Sequence, residues 1–314
     1  MRYSRLGRTG LVVSRLCLGV LTIGPLQENL SVEEGSRVII HALSRGINFL
    51  DTAESYDTYP YIRRALEQSP VTPVIATKSY AYTREGMRDS VERARDTMGV
   101  RTIDIFLLHE QESEYTLLGH QEALSYLLEA KRKGVVRAVG LSTHSVKGVL
   151  AGAQHPEIDV IHPLINRAGL GILNGSREQM LAAITLAHQL GKGLYGMKAL
   201  GGGNLLPQAW RAFTFVNGIP WLDAMAVGMK SIDEVELNLA WIEGRRDTVL
   251  ENKVSGQMRR LHIEAWCSGC GSCVENCRYG ALHLKNDRAE IETEKCILCG
   301  YCSRYCPDFC IKII

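Results

Sequence analysis

The 314-residue chain has almost no cysteine before its last 48 residues, little excess of either charge and no long apolar run. A net charge of +2, from 36 basic and 34 acidic residues, gives no electrostatic footprint for nucleic acid. No stretch approaches the roughly 20 apolar residues that a membrane-spanning helix needs. Arg15 interrupts the apolar residues near the N-terminus, so no signal peptide is expected. We therefore predict a cytosolic protein that binds neither membranes nor nucleic acids.

Nine of the ten cysteines lie in the last 48 residues, and Cys17 is the exception. A packed apolar core does not require so many thiols in so short a segment. In a reducing compartment, clustered cysteines are more often metal ligands than disulfides. The C-terminal segment is therefore predicted to bind metal through thiolates.

Eight short apolar runs alternate with segments of helical period between about residues 12 and 230. The runs cover residues 16–18, 47–51, 74–78, 103–109, 136–142, 158–162, 193–197 and 225–227. Helical patterns over 32–45, 84–98, 121–133 and 177–190 are each followed by a glycine, a common C-terminal stop. Eight such units predict a (β/α)8 TIM barrel of the α/β class. A doubly wound sheet is the competing fold, but no G-x-G-x-x-G follows the first strand.

These patterns predict a barrel of residues 1–245, a linker or connecting helix of residues 246–262 and a small α+β domain of residues 263–314. The last of these contains an internal repeat, because a set of four cysteines recurs 29 positions later: Cys267, Cys270, Cys273 and Cys277, then Cys296, Cys299, Cys302 and Cys306. Each half reads C-x2-C-x2-C-x3-C, and Pro307 follows the second half, as in bacterial ferredoxins with two clusters.

That pattern predicts two [4Fe-4S] clusters, each with three cysteines from one half and the fourth from the other. One cluster would be bound by Cys267, Cys270, Cys273 and Cys306, and the other by Cys296, Cys299, Cys302 and Cys277. The alternatives are two four-cysteine zinc sites or a disulfide knot, although structural zinc usually takes two separated pairs of ligands rather than a triplet. Cys310 lies outside the repeat and is interpreted as a small buried residue.

Polar residues close three of the predicted strands, at the end of a barrel where catalytic groups lie. Asp51, Lys78 and His109 are these residues, and Tyr56 follows Asp51 in the next loop. Each alone could cap a turn, contact solvent or pack in the core. Together they suit carbonyl reduction by hydride: Lys78 would lower the pKa of the Tyr56 phenol so that it can act as an acid. Asp51 would balance the charge of Lys78, and His109 would hydrogen-bond the carbonyl oxygen.

Residues 46–56 (GINFLDTAESY), Lys78 after a strand, Leu107-Leu108-His109 and residues 134–144 (GVVRAVGLSTH) resemble the signatures of aldo-keto reductases. With the cysteine-rich tail, the whole chain is similar to the ferredoxin-fused branch of that superfamily. The resemblance implies an oxidoreductase that uses NADP(H) or NAD(H), a small carbonyl or alcohol substrate and a redox protein as a further partner.

The resemblance also implies ten cofactor-binding residues. Those facing the carboxamide of the nicotinamide would be Ser142, Thr143 and His162, and Met197 would face its ring. The pyrophosphate would lie against Leu200, Gly201, Gly202 and Gly203, and the adenosine end against residues 227–238, which include Lys230 and Asn238.

Two departures from the family pattern leave the preference between NADPH and NADH open. Gly228 and Glu234 stand where NADPH-specific members carry Lys and Arg, although Lys230 and Arg245 could compensate.

The loop after His109 carries carboxylates at positions 110, 112 and 114, which would disfavour anionic substrates if they bordered the entrance.

Three functions are compatible with these patterns. The first is a nicotinamide-dependent reductase with two clusters for electron transfer within the chain or to a partner. The second is an electron-transfer protein whose clusters serve a redox partner and whose barrel mainly docks or relays. In the third, the clusters are purely structural. The complete set of Asp51, Tyr56, Lys78 and His109 favours the first over the second.

Overall fold

The computed structural model describes residues 1–314 and contains a closed barrel of eight parallel strands. A hairpin of β1 (Tyr3–Arg5) and β2 (Val12–Ser14) precedes it. The barrel strands are β3 (Leu16–Gly19), β4 (Phe49–Asp51), β5 (Val74–Ser79), β6 (Ile103–Leu108), β7 (Val136–Thr143), β8 (Val160–Pro163), β9 (Gly193–Gly196) and β10 (Ala224–Gly228). β10 pairs with β3 and so closes the ring. The eight predicted strands are confirmed, each to within two residues at either end.

Helices follow the strands and form the outer layer, as the helical periods predicted. They are α1 (Val32–Ser44), α2 (Tyr59–Gln68), α3 (Arg84–Met98), α4 (Glu114–Gly119), α5 (Gln121–Arg132), α6 (Val146–Gln154), α7 (Arg177–Gln189), α8 (Ala209–Asn217), α9 (Ile232–Ile242), α10 (Thr248–Ser255) and the short α11 (Ser272–Glu275). Gly99 ends α3 in the left-handed conformation, at φ 71°, which a residue without a Cβ adopts readily. None of the helices is long and apolar enough to cross a bilayer.

Strand alternation positions the polar residues of the site. Successive side chains of a strand point to opposite faces, so every second residue points toward the barrel axis. Phe49, Ala76 and Leu107 belong to the apolar cluster inside the barrel, which the hairpin closes from below with Leu6 and Leu11. Residues 51, 78 and 109 lie two positions further along the same faces and therefore meet above that cluster, at the C-terminal end of the barrel.

The tail is a small domain of two antiparallel two-stranded sheets joined to the barrel by α10. β11 (Leu261–Ile263) pairs antiparallel with β14 (Ile311–Ile313), and β12 (Leu282–Lys285) pairs antiparallel with β13 (Arg288–Ile291). The segment predicted as a linker, residues 246–262, contains α10 and the first two residues of β11.

The tail docks on the loop that follows β9. The amide N–H of Ile313 donates to the Gly202 carbonyl at 3.0 Å, and the Asn204 side-chain amide donates to the Ile311 carbonyl at 3.0 Å. Gly203 has φ 84°, and a Cβ there would lie 1.9 Å from the Ile313 carbonyl oxygen. The closeness of this contact requires glycine at position 203, and it fixes β14 against the mouth of the barrel.

Candidate active site and cluster sites

A buried ion pair lies at the centre of the site. Nζ of Lys78 donates to both carboxylate oxygens of Asp51, at 2.8 and 3.0 Å, and to the carbonyl of Thr52 at 2.8 Å. Both side chains are less than a tenth exposed. All three N–H groups of the Lys78 ammonium therefore have acceptors, and the pair is held rigidly above the barrel core.

Tyr195 of β9 is a further member of this network. Its hydroxyl donates to Oδ1 of Asp51 at 2.9 Å, and its ring stacks on His162 with the centroids 3.8 Å apart. Nδ1 of His162 donates to the carbonyl of Tyr195 at 2.5 Å, so Nε2 is the nitrogen that lies 3.7 Å from Asp51. Burial lowers the pKa of His162 to about 4, which keeps the imidazole neutral at physiological pH.

His109 lies between two tyrosine rings. Tyr80 stacks on it at 4.1 Å, and Tyr56 meets it edge-on at 6.0 Å. Nδ1 of His109 is buried without a hydrogen-bond partner within the protein. Burial, with the Lys78 charge next, lowers the pKa of His109 well below its usual value. A neutral imidazole with one free buried nitrogen is suited to hydrogen-bonding a ligand in the cavity.

The environment of Tyr56 differs from the sequence-based expectation. Lys78 was expected to lower the pKa of this phenol, but burial raises that pKa well above its usual value, and Asp51 and Glu110 act in the same direction. Lys78 does contact Tyr56, with Nζ 5.1 Å from the ring centroid. Its N–H groups are occupied by Asp51 and Thr52, however, so Tyr56 is held protonated rather than as phenolate.

A single cavity of about 1520 Å³ connects this site to the far rim of the barrel. Asp51, Tyr56 and His109 line one part of it, and Gly228 and Asn238 line another. The tail supplies a wall through residues that include Glu264, Trp266, Phe309 and Lys312. The ring of Phe309 packs with Met197, Leu164 and Leu170 in one buried apolar cluster. The active-site cavity is therefore shared between the barrel and the tail.

The predicted carboxamide contacts are only partly in this cavity. His162 and Met197 line it. Thr143 does not, and its predicted role needs correction: it lies on the outward face of β7, and its hydroxyl accepts from the Ser145 amide at 2.9 Å. Ser142 is on the inward face, but its hydroxyl accepts from the Glu110 amide at 3.0 Å and does not line the cavity. His144, two residues further along that face, does.

The glycine-rich loop has a second use in the structure. Leu200, Gly202 and Gly203 line the cavity, as a pyrophosphate site would require, whereas Gly201 does not. Gly202 and Gly203 also contact β14, as described above. The tail packs closely against these glycines, and their role in binding pyrophosphate stays a prediction.

The predicted adenosine end is rich in paired charges. Lys230 lines the cavity, but its Nζ is bound to Glu28 at 2.7 Å. Glu234 accepts from the Lys230 amide at 2.8 Å and from Arg259 at 3.2 Å. Arg245 pairs with Glu243 on the surface and does not line the cavity, so it cannot compensate as the sequence suggested. Arg259, from the connecting segment, is the cation that sequence reasoning missed.

The structure brings the first predicted set of thiols together. Cys267, Cys270, Cys273 and Cys306 line one small cavity, which Cys310 also lines. Burial raises the pKa of Cys302 to about 12, and the charges of Cys273 and of its predicted partners Cys277, Cys296 and Cys299 act in the same direction. The two clusters and their ligand sets stay a prediction. Cys310 is buried as predicted, with Sγ 3.3 Å from that of Cys306.

Comparison with known proteins agrees with this geometry. The profile of the Aldo/keto reductase family matches residues 15–218, and that of the 4Fe-4S dicluster domain matches residues 260–307. The chain belongs to the aldo/keto reductase family. NAD(P)H dependence is typical of that family, and the C-terminal part of the chain matches an iron–sulfur domain.

Relatives and structural neighbours are moderately similar. An aldo-keto reductase of Mycolicibacterium paratuberculosis is 28% identical over 153 residues, covering 45% of this chain and 52% of the relative. The NADH-specific methylglyoxal reductase of Escherichia coli is 25% identical over 202 residues, covering 54% of this chain and 61% of the relative. The chain thus spans about half the length of the first of these. A solved Pseudomonas aeruginosa structure assigned to the aldo-keto reductases is 27% identical, with a TM-score of 0.65 over 77% of this chain and 94% of its own.

Besides Arg259, sequence reasoning missed three groups of residues in this protein. Tyr195 follows the inward alternation of β9, so strand parity would have indicated it. Tyr80 comes two residues after Lys78, but its stacking on His109 depends on a neighbouring strand. The wall formed by Glu264, Phe309 and Lys312 had no signal in the sequence, because it depends on how the tail docks.

Proposed function

We propose that the barrel transfers hydride between a nicotinamide cofactor and a small carbonyl or alcohol substrate. Asp51, Tyr56 and His109 line one cavity, with Lys78 bound to Asp51 and close to the Tyr56 ring, and this arrangement supports the proposal. The bound nicotinamide would supply the hydride. The protein would supply proton transfer, orientation and a site from which water is excluded.

Tyr56 is the proposed proton donor. The burial that raises its pKa keeps the hydroxyl protonated, so it can deliver a proton to the carbonyl oxygen as that oxygen gains charge. The Lys78 ammonium, close to the ring, would stabilise the phenolate left behind. Asp51 holds that ammonium, and Tyr195 in turn holds Asp51. His109 would donate a second hydrogen bond to the same oxygen.

The cavity beyond these residues fits a long dinucleotide. Met197 and His162 would contact the nicotinamide, the loop from Leu200 to Gly203 the pyrophosphate, and the region of Lys230 and Asn238 the adenosine. Because Glu234 lies where a 2'-phosphate would approach, we propose that NADH binds at least as well as NADPH.

The tail is proposed to hold two [4Fe-4S] clusters that exchange electrons with the barrel or with a redox partner in the cytoplasm. The first thiol set adjoins the shared cavity, since Trp266 and Pro307, next to Cys267 and Cys306 in sequence, both line it. Iron and sulfide analysis of anaerobically purified protein should give about eight irons per chain. About two zinc ions and no iron after anaerobic reconstitution would contradict this assignment.

Tyr56→Phe tests the reductase activity. The change keeps the ring and removes the acid, so kcat for an aldehyde should fall by roughly 10²- to 10⁴-fold with little change in nicotinamide affinity. Tyr82→Phe is the matched control, because Tyr82 is nearly two-thirds exposed and does not line the cavity. Equal turnover in wild type and Tyr56→Phe would show that another group donates the proton.

A further inference from the structure

Two lysines lie where the tail meets the barrel, inside the shared cavity. Lys198 follows Met197 after β9, and Lys312 belongs to β14. Nζ of Lys198 lies 5.1 Å from the centroid of the Phe309 ring, and Nζ of Lys312 lies 3.3 Å from it. Each domain thus contributes one ammonium group to the same point of the cavity.

Neither ammonium has a carboxylate partner. Lys312 donates to the carbonyl of Phe309, and Lys198 contacts the ring of the same residue. The charges of Glu110 and Glu264, two carboxylates of this cavity, act on Lys198, but neither carboxylate forms an ion pair with either lysine. The two ammonium groups therefore have no carboxylate in direct contact.

Burying unpaired cations is unfavourable unless a ligand compensates for the lost hydration. Burial lowers the pKa of Lys198, and it lowers that of Lys312 well below the usual value, with the charge of Lys198 acting in the same direction. An anion between the two ammonium groups would remove both penalties, since it would be attracted to each and would separate them electrostatically.

The lysine pair lines the same cavity as the reacting groups Tyr56 and His109. The charge of Lys198 acts on His109 as well as on His144. Glu264 of the tail faces the same region, because its charge acts to raise the pKa of both Tyr56 and Lys198. A ligand whose carbonyl lies against Tyr56 and His109 could therefore extend toward Lys198 and Lys312.

We propose that Lys198 and Lys312 form an anion subsite for the carboxylate of a carbonyl substrate. This inference rests on the proposed reductase function and assigns its substrate class, an aldehyde or ketone that also bears a carboxylate. It makes the tail a determinant of specificity. It also opposes the expectation drawn from the loop after His109: Glu110 and Glu112 do line the cavity, but the two lysines line it as well.

The test compares two substrates of nearly the same shape, 4-carboxybenzaldehyde and the neutral 4-nitrobenzaldehyde, on the full-length holoenzyme. Wild type and the variants Lys198→Gln and Lys312→Gln are assayed for kcat/KM with both. The ratio of the carboxylate to the nitro substrate should fall roughly 10- to 100-fold in each variant, as expected for a lost charge-assisted hydrogen bond. Lys147→Gln, on the exposed surface of α6, is the matched control and should leave the ratio unchanged.

Benzoate binding, measured by calorimetry, tests the subsite without requiring turnover. Weaker benzoate binding in both variants than in wild type supports the subsite. If wild type reduces neither aldehyde, that result contradicts the proposed reductase function and not the subsite. An unchanged substrate ratio together with unchanged benzoate binding overturns the subsite. Weaker NADH binding in the variants with an unchanged substrate ratio overturns it too, because the lysines would then serve the pyrophosphate of the cofactor.

Discussion

Replacing Lys78 by Met should destabilise the barrel strongly, because the buried Asp51 carboxylate loses its cation. The pair has N–O distances of 2.8 and 3.0 Å, with side-chain exposures of 2% for Lys78 and 8% for Asp51. Removing one member of a buried pair costs about 3–5 kcal/mol. For a domain of this size that lowers Tm by roughly 6–20 °C, at about 2–4 °C per kcal/mol. Thermal unfolding of the anaerobic holoprotein, followed by circular dichroism, measures this loss.

The double variant Asp51→Asn/Lys78→Met separates the cost of an unpaired charge from the cost of altered packing. It removes the carboxylate along with the cation, and Tyr195 can still donate to the amide oxygen. Its Tm should therefore recover much of the decrease seen in Lys78→Met. Activity should not return, since both residues belong to the proposed catalytic set. Lys133→Met, which breaks an exposed pair with Glu129, should cost no more than about 1 kcal/mol. A single variant that melts within about 2 °C of wild type, or a double variant no more stable than the single, would refute this reasoning.

Three further predictions concern the rest of the site. Glu234→Gln should free Arg259 and strengthen NADPH binding roughly tenfold or more relative to NADH in fluorescence titrations, whereas Glu236→Gln, whose carboxylate pairs with His41 and Arg45, should not. Gly203→Ala should displace β14 and expose the tail to limited proteolysis. Gly134→Ala is its control, because position 134 has a similar φ of 72° but nothing within 4 Å of the added Cβ. Burial lowers the pKa of His162 to about 4, so the folded protein holds this imidazole neutral. Its contribution to the free energy of unfolding is therefore fully present above about pH 6.5 and is lost as the pH falls toward 4. His162→Gln should flatten this fall in Tm, and an equal slope in both proteins would contradict it.

Strand periodicity explains why the centre of the site could be predicted from sequence. Asp51, Lys78 and His109 each continue the inward face of a strand, and neighbouring parallel strands bring their ends to the same rim. The same rule explains why Thr143 does not lie where the resemblance placed it. Thr143 is odd-numbered on a strand whose even-numbered residues point inward, so it packs toward α6, where a Cβ on Gly148 would lie 2.3 Å from its hydroxyl.

The cavity wall could not be predicted in this way, because it depends on contacts between distant segments. Phe309 and Lys312 lie more than 100 residues from Met197 and Gly202, and neither alternation nor the cysteine spacing places them at the barrel mouth. The pairing of Lys230 with Glu28 is of the same kind, since it joins residues 202 positions apart. Charges that look free in the sequence can be neutralised by docking, whereas Lys198 and Lys312 have no carboxylate in direct contact.

The contacts between the tail and the barrel limit how the role of the clusters can be tested. Deleting the tail would remove Phe309 from the apolar cluster around Met197 and would uncover Gly202 and Gly203, so lost activity would not distinguish a redox role from a broken cavity. Serine at Cys296 and Cys299 is a cleaner change, because neither residue lines the shared cavity and the first thiol set remains. Aldehyde reduction by NADH that survives this change, while electron transfer to an artificial one-electron acceptor falls, would separate hydride chemistry in the barrel from electron transfer through the cluster predicted at Cys296, Cys299, Cys302 and Cys277. Loss of both in a protein that still melts as wild type would show that the two are coupled.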